Sequence, residues 1–164
     1  MQANILLIED DRSTASALQQ VLQDEGYAVT VAGRGDQGLN QARDRGCDLV
    51  ITDLKLPGLS GMELIAQLHT AKPKLPIIMM TAHGTTETAI EAMKLGACDY
   101  LVKPFEADEL LDLAASAVAS SRRMSEPIEI GEARSAQRAI VGKSRVMQNI
   151  YKEIGRVAAT PVTV

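Results

Sequence analysis

Cys47-Asp48-Leu49-Val50-Ile51-Thr52-Asp53 is an apolar run closed by one carboxylate, and Leu54-Lys55-Leu56-Pro57-Gly58-Leu59-Ser60-Gly61 follows it as a Pro/Gly-rich loop. In a parallel α/β sheet such a run is a strand buried on both faces. The residue at its carboxyl end leaves the core and enters the crevice where ligands bind. Asp53 is thereby poised for chemistry. The fold follows from whether other segments of the chain end in the same way.

They do. Upstream, Ile5-Leu6-Leu7-Ile8 closes on Glu9-Asp10-Asp11, and Leu18, Val21 and Leu22 then recur at helical spacing up to a stop at Gly26. Tyr27 to Ala32 alternate as a second strand, and Gly35 to Arg45 read as a helix closed by Gly46. Downstream of the opening stretch, Met62, Leu64, Ile65 and Leu68 mark a helix that ends before Lys72-Pro73. Pro76 to Thr81 is a fourth strand, and a helix through Ala89, Ile90, Met93 and Leu95 stops at Gly96. Asp99 to Val102 is a fifth strand, closed by Lys103-Pro104, and Leu110, Leu111, Ala114, Ala117 and Val118 form the stripe of a last helix. Strands alternating with helices imply an α/β, doubly wound parallel sheet with right-handed crossovers and helices on both faces.

The bulk composition agrees. A chain of 164 residues, 46% hydrophobic and 23% charged, suits one ordinary globular domain with an extension. No apolar run approaches the roughly 18 residues of a membrane span, and the start, Met1-Gln2-Ala3-Asn4, lacks a signal peptide's basic region. A cytoplasmic location is expected. Cys47 and Cys98 form no metal or redox spacing and are expected to be small buried side chains without a disulfide. The net charge of −4 is uneven: 9 Lys/Arg against 17 Asp/Glu precede Arg122, and 8 against 4 follow from it. The acidic body, with no Trp and a single Phe, is a poor nucleic-acid surface.

Charge and composition change at Arg122. Residues 1–121 form the main domain, 122–138 read as a linker, and 139–164 as the beginning of another domain. In that last stretch a helical pattern at Val146, Met147, Ile150, Ile154 and Val157, with Ser144 as its N-cap, leads to a nascent strand at Pro161-Val162-Thr163-Val164. So short a piece cannot bury a core of its own. The stripe on the last helix of the main domain could also continue past Ser121 into Arg122-Arg123.

One edge of the sheet collects the chemistry: Glu9, Asp10 and Asp11 from the first strand, Asp53 from the third, Thr81 from the fourth and Lys103 from the fifth. Carboxylates this close repel one another unless a cation sits among them. Hard oxygen ligands with room for water suit Mg²⁺. Lys103 and Thr81 are then left to meet an anion, and an anion beside a metal and a free Asp makes an acyl-phosphate site. Taken singly, each residue has a plainer reading: a solvated helix start, a loop cap, a turn at Lys103-Pro104, a half-buried strand residue at Tyr100. Their coincidence at successive strand ends is what argues for a site.

Glu9-Asp10-Asp11, Asp53 with its Leu-Pro-Gly loop, Thr81-Ala82 and Lys103-Pro104-Phe105 together resemble the receiver domain of two-component response regulators over about residues 3–121. The resemblance implies a flavodoxin-like (βα)5 fold with strand order 2-1-3-4-5, and Asp53 as acceptor of a phosphoryl group from a sensor histidine kinase. It implies Asp10, Asp53 and the Lys55 backbone carbonyl as Mg²⁺ ligands, with Glu9 in support. Glu9 stands where Asp is commoner, and Asp11, a third carboxylate, leaves open which of the two assists Asp10. Thr81 and Lys103 would hold the phosphoryl oxygens, Lys103-Pro104 would be cis, and Tyr100 would change rotamer as Thr81 moves. Lys55 and His83, flanking the crevice, would tune water access. The tail, from Ile140-Val141-Gly142-Lys143-Ser144 to Pro161-Val162-Thr163-Val164, resembles the opening of the AAA+ domain of sigma-54-dependent activators. That implies a homodimerising switch in such an activator, acting on sigma-54 RNA polymerase and DNA through further domains. It is not expected to be an enzyme beyond catalysing its own phosphotransfer.

Two motifs point elsewhere. Gly142-Lys143-Ser144 ends like a P-loop, but Gln137 stands where the pattern needs Gly. Gly33-Arg34-Gly35-Asp36-Gln37-Gly38 matches G-x-G-x-x-G after a strand, with Asp53 further on, and so offers a dinucleotide-binding module as an alternative. That reading leaves the first acidic run and Lys103 without a role. A pseudo-receiver with a vestigial site is the remaining alternative, opposed by the complete Asp10, Asp53, Thr81, Lys103 set.

Overall fold

The structure, a computed structural model, describes residues 2–125. The expected second-domain fragment, most of the linker and the Gly142-Lys143-Ser144 motif lie outside the described residues. Five strands, β1 (Asn4–Ile8), β2 (Ala28–Ala32), β3 (Leu49–Asp53), β4 (Ile77–Thr81) and β5 (Asp99–Val102), alternate with α1 (Arg12–Asp24), α2 (Gly35–Asp44), α3 (Gly61–Ala71), α4 (Thr86–Leu95) and α5 (Ala107–Ser125). The sheet is parallel throughout, in the order β2-β1-β3-β4-β5.

That order follows from the burial pattern. Leu49, Val50 and Ile51 of β3 and Ile77 to Met80 of β4 are wholly buried, as central strands covered on both faces must be. β2, mixed in its exposure, lies at an edge. The chain steps from β1 to β2 in one direction and thereafter in the other. Right-handed crossovers therefore put α1 on one face and α2, α3 and α4 side by side on the opposite face, leaving α5 to cover β3 and β4 on the α1 side.

Local chemistry sets the helix ends. Asp11 caps α1 by accepting the Thr14 N–H, Thr85 caps α4 through the Thr88 N–H, and Ser60 and Glu63 form a reciprocal capping box on α3. Gly26 and Gly96 end α1 and α4 with φ of 95° and 118°, a conformation open to glycine at little cost. Gly46 does not take this role for α2, contrary to expectation. The Lys72 ammonium donates instead to the carbonyls of Ala42 (2.6 Å) and Arg45 (3.4 Å), satisfying the helix end from a neighbouring helix.

The element edges differ slightly from the pattern reading. β3 begins at Leu49 because Asp48 is held outside the strand, its side chain accepting the Asn4 N–H at 2.8 Å. Cys47 and Cys98 precede β3 and β5 instead of lying within them. As whole residues the first is accordingly half-buried and the second exposed, yet burial raises the pKa of both thiols, that of Cys98 to about 12; both are free. On α5, Leu113 joins Leu110, Ala114, Ala117 and Val118 in the core while Leu111 is half-buried, and the helix carries through Arg122 and Arg123 to Ser125. No helix among the described residues is long and apolar enough to cross a membrane.

Candidate functional site

Strand register brings the carboxyl ends of β1, β3, β4 and β5 to one edge. Ile8 lies beside Thr52, Asp53 beside Met80, and Thr81 beside Val102, so Glu9, Asp53, Thr81 and Lys103 emerge at nearly one level. The Lys103 N–H donates to the Thr81 carbonyl at 2.8 Å, fixing the two backbones together. The Lys103–Pro104 peptide is cis.

The Lys103 ammonium joins the carboxylates. It donates to Glu9 Oε2 at 2.7 Å and to Asp53 Oδ2 at 2.8 Å, bridging the first strand to the third from the fifth. Glu9 is buried, with its side chain only 1% exposed. Burial raises its pKa above 4.5, against the opposing pull of the Lys103 hydrogen bond and charge and of the Asp11 N–H. For Lys103, burial alone would favour the neutral amine. Hydrogen bonds and charge from Asp53 and Glu9 outweigh it and hold the pKa above its ordinary value. The ammonium is thus locked in its charged form as counter-ion to the acidic cluster.

Three carboxylates converge here. Oxygens of Glu9, Asp10 and Asp53 all lie within 4.8 Å of one another. Hard, anionic oxygens in this number suit a divalent cation such as Mg²⁺, and the exposure of Asp10 leaves a side open to water. Asp11 is not part of the group. Its carboxylate turns to the backbone N–H and hydroxyl of Thr14, which hold its pKa below the usual range, the hydroxyl first. Glu9 is therefore the carboxylate that stands with Asp10. Asp11-x-x-Thr14 is an N-cap spacing, a signal that the sequence already contained.

Around this cluster, the Lys55 N–H donates to Asp53 Oδ1 at 3.3 Å and the Lys55 side chain is exposed. Thr81 is buried, and its hydroxyl accepts the His83 N–H at 3.2 Å. Tyr100 lies on β5, two residues after Cys98 and three before Lys103. It is buried, not half-buried, and a Cβ built on Gly84 would come within 3.1 Å of its ring and 2.7 Å of Val102 Cγ2, so the absence of a side chain at Gly84 makes room for it. The Tyr100 hydroxyl has no hydrogen-bond partner among the described residues.

Comparison with known proteins agrees with this geometry. Residues 5–115 match the response regulator receiver domain. The chain belongs to the response regulator receiver family. Among its relatives, the transcriptional regulatory protein ZraR of Klebsiella oxytoca is 36% identical over 163 residues, 99% of this chain and 36% of that protein. The response regulator protein FleR of Pseudomonas aeruginosa is 43% identical over 115 residues, 70% of this chain and 24% of that one. Among solved structures, a receiver domain protein from Methanospirillum hungatei superposes with a TM-score of 0.72 at 27% identity, over 76% of this chain and 99% of that chain. NtrX from Brucella abortus, crystallised with ADP, gives 0.71 at 33% identity over 98% of this chain and 35% of that chain. The receiver chain thus spans about a third of the ZraR and NtrX relatives, 36% and 35%.

The receiver fold also accounts for the G-x-G-x-x-G motif. In a dinucleotide site the first amides of the helix stay free for a pyrophosphate. Here the Gly35 N–H donates to the Pro57 carbonyl at 3.1 Å. A Cβ on Gly38 would stand 2.8 Å from Ile8 Cγ1, so this glycine serves the packing of α2 against β1. The motif is built into the protein's own packing.

Proposed function

We propose that this receiver is the phosphorylation-controlled switch of a sigma-54-dependent transcriptional activator of the NtrC class, with Asp53 as the acceptor. The observation that carries the proposal is the Lys103 ammonium held between Glu9 and Asp53, at the edge where Thr81 also emerges. A sensor histidine kinase donates the group. An Asp53 carboxylate oxygen attacks the phosphorus of its phosphohistidine, the new O–P bond forms as the N–P bond breaks, and the imidazole nitrogen keeps the electron pair and takes a proton. Glu9, Asp10, Asp53 and the Lys55 backbone carbonyl hold Mg²⁺, which when bound neutralises charge on the transferring group. Lys103 and the Thr81 hydroxyl donate to the phosphoryl oxygens. Little covalent work is left to the protein, which acts mainly by positioning. The chain is in this sense no enzyme with turnover on other substrates; it catalyses its own modification.

Movement of the Thr81 side chain toward the phosphoryl group, donating its O–H, stretches the contact with the His83 N–H and shifts the segment against which Tyr100 rests, biasing the surface of α4, β5 and α5 toward a homodimer. The NtrC-class reading is supported by similarity to longer transcriptional regulators that continues through residues 126–164. Contacts with sigma-54 RNA polymerase and DNA belong to domains other than this receiver, and its setting is the cytoplasm.

The test is intact mass after incubation with acetyl phosphate, with and without Mg²⁺, on wild type and Asp53→Asn. A gain of one phosphoryl group that needs both Mg²⁺ and Asp53 is expected. No gain by the wild type overturns the proposal and turns the weight to a pseudo-receiver.

A further inference from the structure

The turn Gly33–Gly38 faces the loop that leaves Asp53. We propose that this turn is a clamp that positions the Lys55 peptide for divalent-cation binding, with Gly35 and the Arg34–Asp36 pair as its working parts. The inference deepens the proposed function, on which the roles of Lys55 and Asp53 rest.

Four contacts carry it. First, α2 has no side-chain N-cap, and the Gly35 N–H at its start is satisfied by the Pro57 carbonyl at 3.1 Å. Second, a Cβ on Gly35 would lie 2.8 Å from the Leu59 carbonyl carbon and overlap the carbonyl oxygen. Backbone there meets backbone, so no side-chain rotation relieves the clash. Third, Arg34 grips Asp36 through two hydrogen bonds, Nε to Oδ1 at 3.0 Å and Nη2 to Oδ2 at 3.3 Å. That pair lies against Gly58, whose φ is +83° and whose Cβ would meet both partners within 2.9 Å. Fourth, the base of the loop closes on the acceptor. The Gly61 N–H donates to the Leu54 carbonyl at 2.8 Å, and a Cβ on Gly61 would stand 3.1 Å from the Asp53 carbonyl carbon.

The loop is thus fixed at its base beside Asp53 and at its tip, Pro57 to Leu59, by the Gly33–Gly38 turn. Lys55 lies between these anchors, with its N–H on Asp53 Oδ1. Moving the tip rotates the peptide planes between them, and the Lys55 carbonyl with them. Gly38 extends the gauge, since its packing on Ile8 references α2 to the residue just before Glu9 and Asp10. Both carboxylate-bearing strand ends are thereby set from one helical turn. Gly33 has nothing within 4 Å of a built Cβ and takes no part.

The experiment titrates the full chain with Mg²⁺ alone, following backbone amide resonances, and compares Gly35→Ala, Arg34→Ala/Asp36→Ala and Gly33→Ala with wild type. Residues that orient metal ligands typically contribute about 10- to 100-fold in affinity. A Kd raised about tenfold or more is expected for Gly35→Ala, and about threefold for the double variant, whose weaker contact is through side chains. Gly33→Ala is expected to match wild type. Arg34 and Asp36 are each 54% exposed, so their removal should leave the thermal midpoint nearly unchanged. In the double variant a merely structural role would move affinity and midpoint together, whereas the clamp moves affinity alone; Gly35→Ala is expected to lower the midpoint as well. If Gly35→Ala fails to fold, the double variant decides. Wild-type Mg²⁺ affinity in a folded Gly35→Ala, or in the double variant, overturns the clamp. A wild type that binds Mg²⁺ yet takes no phosphoryl group from acetyl phosphate overturns the proposed function, and the Mg²⁺ comparison still judges the clamp.

Discussion

Replacing Lys103 by Met tests the electrostatics of the site independently of any phosphoryl chemistry. The Lys103 side chain is 22% exposed and those of its partners Glu9 and Asp53 are 1% and 13% exposed. Truncating one member of so sheltered a group leaves the others uncompensated, at a cost of about 3–5 kcal/mol. The lower end applies here, because Glu9 can take up a proton instead of staying ionised. Burial already raises the Glu9 pKa above 4.5, and without Lys103 it loses the hydrogen bond and charge that now pull it down. In the variant, the folded state therefore keeps a proton that the unfolded chain releases above 4.5. Stability then falls with rising pH by up to about 1.4 kcal/mol per unit, levelling off above the folded pKa. The expected loss is about 3 kcal/mol at pH 8 and smaller near pH 5. Urea unfolding of wild type and variant across that range measures it. Adding Glu9→Gln should recover most of the loss at pH 8, since it makes the proton permanent. A loss that is equal at pH 5 and pH 8, or that Glu9→Gln leaves untouched, would refute the reasoning.

Two further outcomes follow from single groups. Tyr100→Phe removes a buried hydroxyl that has no partner among the described residues and should stabilise the protein by about 0.5–1.5 kcal/mol in the same assay, a loss of stability counting against the buried geometry. Asp11→Ala removes the α1 cap; because Thr14 holds the Asp11 pKa below 3.8, the wild type's advantage is present above that value and fades as pH falls through the lowered pKa, so thermal midpoints should differ at pH 7 and converge in strong acid.

Most of the fold was legible because β3 and β4 are central. A strand buried on both faces shows as an unbroken apolar run, as Leu49 to Ile51 and Ile77 to Met80 do. The parallel sheet then put Glu9, Asp53, Thr81 and Lys103 at one edge, and the structure brings the Glu9, Asp53 and Lys103 side chains into contact. What the pattern did not carry was interaction between segments far apart in the chain. The end of α2 is satisfied by Lys72 from α3, a donor 27 to 30 residues away, so Gly46 looked like the stop it is not. The two cysteines sit just before their strands, where a shift of one or two residues decides how much of the whole residue is exposed. Gly35 and Gly38 matched a phosphate-binding motif because tight packing and phosphate approach both require a missing side chain. The sequence shows that space is needed, and only the fold shows that Leu59 and Ile8 fill it.

The placement of the donors constrains how such a site could signal. Lys103 and Thr81 are joined through the Lys103 N–H and the Thr81 carbonyl, on strands whose interiors are wholly or almost wholly buried. Neither backbone can follow an incoming anion without disturbing the packed sheet, so the freedom lies in side chains and in the loop beyond β4. The Lys103 ammonium can exchange its carboxylate partners for phosphoryl oxygens without moving its strand. The Thr81 hydroxyl accepts the His83 N–H, so its own O–H stays available to donate to the same anion, and turning the side chain toward that anion would stretch the His83 contact. His83 adjoins Gly84, and Gly84 lies against Tyr100 and Val102, the latter an exposed apolar residue of β5. The Tyr100 hydroxyl, buried beside Gly84, has no hydrogen-bond partner among the described residues. On the proposed reading, a shift of residues 83 and 84 would act on Tyr100 and on Val102 at the β5 surface, away from the carboxylates. On that reading, chemistry at the edge of the sheet and a readout on its flank would be separated by the Thr81–His83 hydrogen bond and Gly84.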